Sequence, residues 1–382
     1  MIEVSVVMLT YNHKSFIAQA IESVLAQETD FPFEIIIGED ESQDGTREIC
    51  IAYAERYPEK IRLFLRSRKD VIYINDRATG RFNLIESLKA TRGKYIAMCE
   101  GDDYWTDPHK LQKQVDFMEA HPECSMCFHD VRIVSEDGTC VLESYRPPDR
   151  KALYTLDDIV ERCFIQTCSV MLRNGLVRDY PSWSYEFPNG DWITFVMSAQ
   201  HGDIGYLDTQ MASYRLHQGG IWTGRSTLSK IQQILPLFGH FYLHLGSSHG
   251  QAVRAGACAV IAGGAAAQYD LGEPASLSAS LAFVAAALDA AADTGYSNPS
   301  FVRTTWARSY EALGFAAYQK HDLRSARYCF TRALLTSPST ARNTGMLSLL
   351  FEAILGEKAS ALRRTLWSHL RADQRELGAR EL

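Results

Sequence analysis

The sequence predicts an α/β domain followed by an all-α domain. With 382 residues, the chain is about two and a half times the length of a typical domain. Strand and helix signals alternate through its first half. Near residues 224–229 the composition changes to an Ala-rich sequence with helical periodicity. We therefore place the two domains at residues 1–225 and 226–382.

The first domain is predicted to contain a mostly parallel sheet with helices on both faces. Short apolar runs are typical of buried strands, and apolar residues at intervals of three and four are typical of helices. Strands joined by helices of this length imply right-handed crossovers. The strands are predicted at residues 4–9, 33–37, 61–65, 95–99, 125–131, 169–173 and 204–207, and the helices at 16–25, 46–57, 83–91 and 192–201.

Two helix starts are predicted from capping residues. Asp107 is an N-cap candidate because Pro108 follows it, and proline is favoured at the first helical position. Asp191 is an N-cap candidate for the helix that Gly202 ends.

The second domain contains one unit with tetratricopeptide-like spacing. The residues that carry the spacing are Leu313, Gly314, Ala326, Phe330, Ala333 and Pro338, with His321 and Asp322 at the inter-helix turn. We expect a small, irregular stack of helical hairpins, and an ordinary helical bundle remains the alternative. Such a stack could form part of an acceptor cleft, mediate homo-oligomerisation or bind a protein partner.

Composition and charge exclude several classes of protein. The chain has 39 basic and 46 acidic residues, a net charge of −7, and no basic block of the kind that binds nucleic acid. No signal peptide or membrane-spanning segment is predicted, and the nine cysteines are expected to be reduced thiols in a cytoplasmic protein. An Arg-rich tail at residues 362–380 is expected to form a solvated helix, with contact to an anionic membrane surface as the alternative.

Polar side chains follow three of the predicted strands. They are Thr10, Tyr11 and Asn12, then Glu39 and Asp40, then Glu100, Asp102 and Asp103. Ligands of parallel sheets bind outside the carboxyl ends of the strands, so these groups should face one crevice. Each group alone could be a helix cap or a solvated turn. Together, they indicate a metal-bound nucleoside diphosphate. The paired carboxylates need a cation, and an aromatic ring and a hydrogen-bond acceptor could bind a nucleobase.

The ordered blocks VSVVMLTYN, IIIGEDESQDGT, GKYIAMCEGDDYW, NGDW and YRLHQGGIW resemble the family 2 glycosyltransferases of the GT-A fold. The resemblance covers roughly residues 1–225. It implies an inverting transfer of a sugar from a nucleotide-sugar, with Mn²⁺ or Mg²⁺, to an acceptor hydroxyl.

The resemblance also implies roles for residues of this chain. Asp191 would be the catalytic base, although it could instead be only a helix cap. Thr10, Tyr11, Asn12, Asp40 and Asp102 would bind the nucleotide. The metal would be held by Asp102, Asp103 and His217, with a surface-loop histidine as the alternative for the last. The donor and acceptor loops would include Glu100, Trp105, Trp192, Arg215 and Trp222.

The expected enzyme adds one sugar, with a UDP-linked donor favoured, to a saccharide or lipid-linked acceptor in surface polysaccharide or lipopolysaccharide synthesis. A Q-x-x-R-W motif is missing from the sequence, which disfavours the processive synthases. Two other functions stay open: a nucleotide-sensing scaffold that recruits a partner through its helical half, and a nucleotidyltransferase. A nucleotidyltransferase would need a glycine-rich, basic loop after the first strand. Residues 10–16 instead read TYNHKSF, which contains no glycine.

Overall fold

The structure is a computed structural model that describes residues 2–74, 76–147, 149–177, 179–220, 226–271 and 276–355. The chain divides into two compact units, residues 1–225 and residues 226–382. Each unit is described by itself below.

The N-terminal unit combines strands and helices. Its strands are β1 (Val4–Thr10), β2 (Phe33–Glu39), β3 (Ile61–Leu65), β4 (Tyr73–Ile74), β5 (Arg77–Ala78), β6 (Tyr95–Met98), β7 (Tyr104–Trp105), β8 (Cys124–Ser135), β9 (Cys140–Tyr145), β10 (Leu153–Tyr154), β11 (Met171–Arg173) and β12 (Asp203–Leu216). Its α-helices are α1 (Ile17–Leu25), α2 (Thr46–Arg56), α3 (Arg81–Lys89), α4 (Lys110–Ala120), α5 (Leu156–Glu161) and α6 (Gly190–Ala199).

The main sheet is mixed and has the order β10-β12-β8-β11-β6-β1-β2-β3. The part from β6 to β3 is parallel, as the alternation of strands and helices predicts. β11 runs antiparallel to both of its neighbours, β6 and β8. Because β11 reverses direction in the middle of the sheet, the parallel pair β8 and β12 forms a second region beside the first.

The core lies where β1 and β2 meet α1. Every residue of β2 is buried, and the apolar side of α1 contributes Ile17, Ile21 and Val24 to the same cluster. Strands buried on both faces need continuous rather than alternating apolar runs. This requirement explains why residues 4–9 and 33–37 are readable as strands from sequence.

Two predicted helix starts are wrong. α4 begins at Lys110, and the Asp107 carboxylate instead accepts a hydrogen bond from the His109 amide at 2.8 Å, in the turn before the helix. α6 begins at Gly190, so Asp191 lies inside the first turn rather than at the N-cap. Its carboxylate accepts a hydrogen bond from the neighbouring Trp192 amide, at 2.8 Å.

The C-terminal unit is helical in its described residues. It contains α7 (Thr227–Leu245), α8 (Gly250–Leu271), α9 (Ser276–Asp293), α10 (Pro299–Gln319), α11 (Leu323–Thr336) and α12 (Thr344–Leu355). Over all the described ranges of the chain, no helix combines the length and apolar character needed to cross a membrane.

α10 and α11 form a helical hairpin at the predicted position. His321 has a left-handed backbone, with φ of 60°, and Asp322 caps α11 by accepting from the Ser325 amide at 3.0 Å. Gly314 allows close approach of the helices, since a Cβ there would lie 2.4 Å from the Phe330 ring. The tetratricopeptide assignment itself stays a prediction.

Candidate active site

The loops that follow β1, β2 and β6 meet at one edge of the parallel sheet. The Asp40 amide donates to the Thr10 carbonyl at 3.1 Å, and the Gly101 amide donates to the Leu9 carbonyl at 2.9 Å. These bonds extend the strand pairing into the loops. The structure therefore brings together the three predicted polar groups.

Tyr11 and Asp40 are joined by Arg68. The Arg68 guanidinium donates to Asp40 Oδ2 at 2.7 Å, and its central carbon lies 4.2 Å from the centre of the Tyr11 ring. Burial raises the pKa of Asp40, and the charge of Arg68 opposes this effect. Arg68 was missed by the sequence analysis, although it follows the end of a predicted parallel strand, the location that identified the other groups.

Asn12 and Thr10 shape the loops around this cluster. Asn12 has a φ of 55°, its amide donates to Ser42 Oγ at 2.9 Å, and its side-chain oxygen accepts from the Gln43 amide at 3.0 Å. Asn12 therefore ties the loop after β1 to the loop after β2. The buried Thr10 hydroxyl approaches Gly101 so closely that a Cβ at Gly101 would lie 2.7 Å from its oxygen.

Asp102, His217 and His13 form a compact cluster of metal-binding side chains. His217 Nε2 lies 3.0 Å from Asp102 Oδ2, and His13 Nε2 lies 3.7 Å from the same oxygen. Burial acts to raise the pKa of Asp102, but the His217 hydrogen bond and the charges of both imidazoles lower it. Burial lowers the pKa of His13. The sequence analysis identified Asp102 and His217 and missed His13.

Asp103 lies outside this cluster, in contrast to its predicted place beside Asp102 on the metal. Its side chain is 1% exposed, and Oδ1 accepts a hydrogen bond from the Arg215 amide at 2.8 Å. Burial, followed by the charges of Asp102 and Glu100, raises the pKa of Asp103. In this arrangement Asp103 contacts β12 through Oδ1, and its Oδ2 is buried without a hydrogen-bond partner in the described residues.

Arg215 supports the acidic turn from within the protein. Its guanidinium donates to the carbonyls of Asp102 at 3.0 Å and Glu136 at 2.9 Å, and to the Gln19 side chain at 2.7 Å. The prediction that Arg215 belongs to a donor or acceptor loop is corrected, because these bonds occupy the guanidinium and the residue is buried. Arg215 positions Asp102.

The charge of Asp191 acts on Glu100 in the acidic turn. Burial and the charges of Asp102 and Asp191 raise the pKa of Glu100 to about 8. Burial also raises the pKa of Asp191, while the Trp192 amide and the charge of Arg81 oppose this rise. Asp191 therefore shares the electrostatic environment of the acidic turn, which its distance in sequence does not reveal.

Two of the predicted tryptophans are structural. Trp105 and Trp192 are each 4% exposed, and their indole N–H groups donate to the carbonyls of Cys168 at 3.0 Å and Ile159 at 2.7 Å. The prediction that they line donor or acceptor loops is corrected, since buried indoles with satisfied N–H groups belong to the core. Trp222 lies outside the described residues.

Comparison with known proteins identifies the family of the domain in the N-terminal unit. Residues 5–178 match the family model described as glycosyl transferase family 2. The N-terminal unit contains a family 2 glycosyltransferase domain. In fold, the chain is similar to the mannosyltransferase PcManGT of Pyrobaculum calidifontis, solved in complex with GDP-Man and Mn²⁺. The TM-score is 0.51 at 16% identity, over 92% of this chain and 86% of that one.

Curated relatives match the same part of the chain. A protein of Mycobacterium tuberculosis, described as uncharacterized, is 40% identical over 222 residues, which are 57% of this chain and 60% of that protein. The glycosyltransferase TuaG of Bacillus subtilis, named for teichuronic acid biosynthesis, is 27% identical over 59% of this chain and 84% of its own length. The chain thus spans about 60% of the mycobacterial relative.

Proposed function

We propose that this protein is an inverting, metal-dependent glycosyltransferase. It moves one sugar from a nucleotide-diphosphate sugar, with a UDP-linked donor favoured, to a hydroxyl of a saccharide or lipid-linked acceptor. The proposed role is in the synthesis of surface polysaccharide or lipopolysaccharide, and the name of the Bacillus relative, from teichuronic acid biosynthesis, supports the former.

One observation carries the proposal: buried oxygens without partners at all three strand ends. Thr10 Oγ1, Asp40 Oδ1 and Asp102 Oδ1 have no hydrogen-bond partner within the described part of the chain. A buried polar group without a partner costs about 1–3 kcal/mol. A ligand with hydrogen-bond donors at one end and a cation at the other would satisfy these oxygens, and a metal-bound nucleotide has that form.

The side chains fit a divalent cation, since Asp102 Oδ2 lies 3.0 Å from His217 Nε2 and 3.7 Å from His13 Nε2, and Asp102 Oδ1 has no hydrogen-bond partner in the described part of the chain. Asp102 and His217 would hold the ion. When bound, the ion would stabilise the negative charge that develops on the departing diphosphate.

Asp191 would accept the proton of the acceptor hydroxyl as the new glycosidic bond forms. Its buried carboxylate has a raised pKa, which strengthens it as a base. The Trp192 amide fixes the orientation of the carboxylate, and Arg81 supplies a compensating positive charge.

The base assignment is tested with Asp191→Asn. A positioned general base contributes about 10²- to 10⁴-fold, so we expect the transfer rate to fall by that factor while the Kd of the nucleotide stays within about twofold. Asp208→Asn, at an exposed side chain, serves as the matched control and should retain the wild-type rate. Retained turnover in Asp191→Asn would remove this residue as the base.

The donor is identified by thermal shift with UDP, TDP, GDP and CMP, each with and without Mn²⁺. A ligand at about 100 times its Kd stabilises the folded protein by about 2.7 kcal/mol, which raises Tm by several degrees. Release of nucleoside diphosphate from the matching nucleotide-sugar supports glycosyl transfer. Release of pyrophosphate would indicate a nucleotidyltransferase, and binding without any turnover would indicate a nucleotide-sensing scaffold.

A further inference from the structure

We propose that His13 is a metal ligand, and that the ion is held by two imidazoles and one carboxylate rather than by an acidic pair. The inference rests on the proposed function for the use of the ion. It adds both a residue and a selectivity: a site of this composition binds Mn²⁺ or Co²⁺ in preference to Mg²⁺.

The three side chains already lie close to the distances that a metal requires. His13, Asp102 and His217 each offer one ligand atom, and these atoms lie within 4.8 Å of one another. First-row metals bind imidazole and carboxylate at about 2.0–2.2 Å, which separates neighbouring ligand atoms by about 3–3.5 Å. The 3.0 and 3.7 Å distances to Asp102 Oδ2 already fall near that range. Small side-chain rotations would complete the site.

The backbone around His13 is ordered by the start of α1. The His13 carbonyl accepts hydrogen bonds from the amides of Phe16 and Ile17, each at 2.8 Å. The His13 and His217 rings meet edge to face, with centres 5.8 Å apart. A ligand held by rigid elements loses little conformational freedom when the ion binds.

The approach of His13 depends on the glycine of the acidic turn. A Cβ at Gly101 would lie 3.0 Å from His13 Nδ1 and 2.7 Å from the Thr10 hydroxyl. Within the described residues, Nδ1 is buried and has no hydrogen-bond partner, and the free oxygen of Asp102 is in the same condition. A neutral imidazole protonated at Nδ1 presents Nε2 to the ion, which is the atom that faces Asp102.

The competing ligand, Asp103, is not one of the three side chains whose ligand atoms lie within 4.8 Å of one another, although its Oδ2 is buried without a hydrogen-bond partner in the described residues. Its Oδ1 accepts the Arg215 amide and the side chain is 1% exposed. The remaining set of two nitrogens and one carboxylate oxygen suits first-row transition metals, whereas Mg²⁺ prefers oxygen ligands and water. The expected preference for Mn²⁺ and Co²⁺ over Mg²⁺ therefore follows from the two nitrogen ligands and not from the charge of the site.

The test measures binding of the metal alone to the full chain. Mn²⁺, Co²⁺ and Mg²⁺ are titrated calorimetrically into wild type and His13→Gln, with the exposed His109→Gln as the matched control. We expect Mn²⁺ and Co²⁺ to bind wild type at least tenfold more tightly than Mg²⁺. His13→Gln should lose at least tenfold in Mn²⁺ affinity with little change for Mg²⁺, and His109→Gln should match wild type.

A spectroscopic measurement on wild type avoids dependence on how the variant folds. The nitrogen modulation of the Mn²⁺ electron spin echo counts coordinated imidazoles, and we expect two. All titrations are repeated with UDP and with GDP. Equal Mn²⁺ affinity of wild type and His13→Gln in every condition, a count below two, or no Mn²⁺ binding at all would overturn the proposal. Failure of glycosyl transfer with an intact two-imidazole site would instead count against the proposed function.

Discussion

Arg68 connects two of the side chains that the resemblance assigns to the nucleotide, Tyr11 and Asp40. Its guanidinium is paired with Asp40 and lies on the Tyr11 ring, and Tyr11 is itself 39% exposed. A planar cation that is paired with a carboxylate and stacked on an aromatic ring can contact both a base and a phosphate. We expect Arg68 to take part in nucleotide binding.

Arg68→Met tests this role because it keeps the length of the side chain and removes its charge. We expect the Kd of the bound nucleoside diphosphate to rise about tenfold, equivalent to about 1.4 kcal/mol. We also expect Tm to fall, because the buried Asp40 carboxylate loses its charged partner. Isothermal titration gives the Kd. Lys69→Met removes a neighbouring exposed charge and should bind as wild type does; an unchanged Kd in Arg68→Met would contradict the role.

Residue identities near the site were predictable only in part. Thr10, Tyr11, Asp40 and Asp102 follow strands of strong apolar character, so their location could be derived from sequence. His13 and Arg68 could not, because their importance depends on which side chains they contact after folding. Asp103 could not be distinguished from its neighbour Asp102 by sequence. The directions of the two adjacent side chains are set only in the folded protein, where Asp103 accepts a hydrogen bond from the Arg215 amide.

Secondary-structure elements were most predictable where their pattern is continuous. The strand at Ile61–Leu65 has the predicted bounds, whereas β7 and β10 were not predicted because two-residue strands have no measurable periodicity. Helix starts were less predictable than helix cores. Asp191 and Asp107 are of a residue type that commonly caps helices, but Asp191 lies inside the first turn of α6 and Asp107 lies in the turn before α4.

Helix α8 offers a matched pair of adjacent glycines. A Cβ at Gly264 would lie 2.6 Å from the Phe283 ring and 3.0 Å from Ile231, whereas a Cβ at Gly263 would meet nothing within 4 Å. Gly263→Ala should stabilise the protein by about 0.5–1 kcal/mol, because alanine favours the helix. Gly264→Ala should destabilise it by about 1–3 kcal/mol through overpacking.

Thermal and urea unfolding of the two variants, followed by circular dichroism, measures the difference. The two glycines share a helix and a neighbourhood in sequence, so helix propensity is common to both substitutions. A stabilising Gly264→Ala would show that α8 does not pack closely against Phe283 and Ile231.

In the parallel sheet, the candidate site and a buried network that we expect to stabilise the unit lie at opposite ends of the strands. The site lies at the carboxyl ends, whereas the buried Glu34 lies near the amino end of β2. Glu34 accepts hydrogen bonds from Ser5 at 2.7 Å, Arg62 at 3.2 Å and Arg92 at 3.0 Å. These bonds join β1, β2, β3 and the segment before β6. We expect this network to stabilise the N-terminal unit without affecting the binding of ligands at the candidate site.

The Glu34 network also predicts a pH dependence of stability. Burial acts to raise the pKa of Glu34, but the bonds from Arg92, Ser5 and Arg62 lower it below its ordinary value of 4.5. The stabilisation is therefore complete above that value and is lost as the pH falls through the lower pKa of the folded state.

Glu34→Gln should lower Tm at about pH 7, and its difference from wild type should shrink as the pH is lowered to about 4 and below. Tm is measured by calorimetry across that range. Glu55→Gln, at an exposed position of α2, is the control, and the nucleotide Kd should be unaffected in both variants. A Tm difference that is constant with pH would argue against a charged Glu34.

His217 follows Asp102 by 115 positions. At about 5–20 residues per second, a ribosome needs on the order of ten seconds to synthesise the intervening chain. During that interval the acidic turn and His13 exist without the second imidazole and without Arg215, which positions Asp102. If the proposed site holds an ion, the nascent protein cannot bind it as the finished protein would, and metal loading would follow the completion of translation through His217.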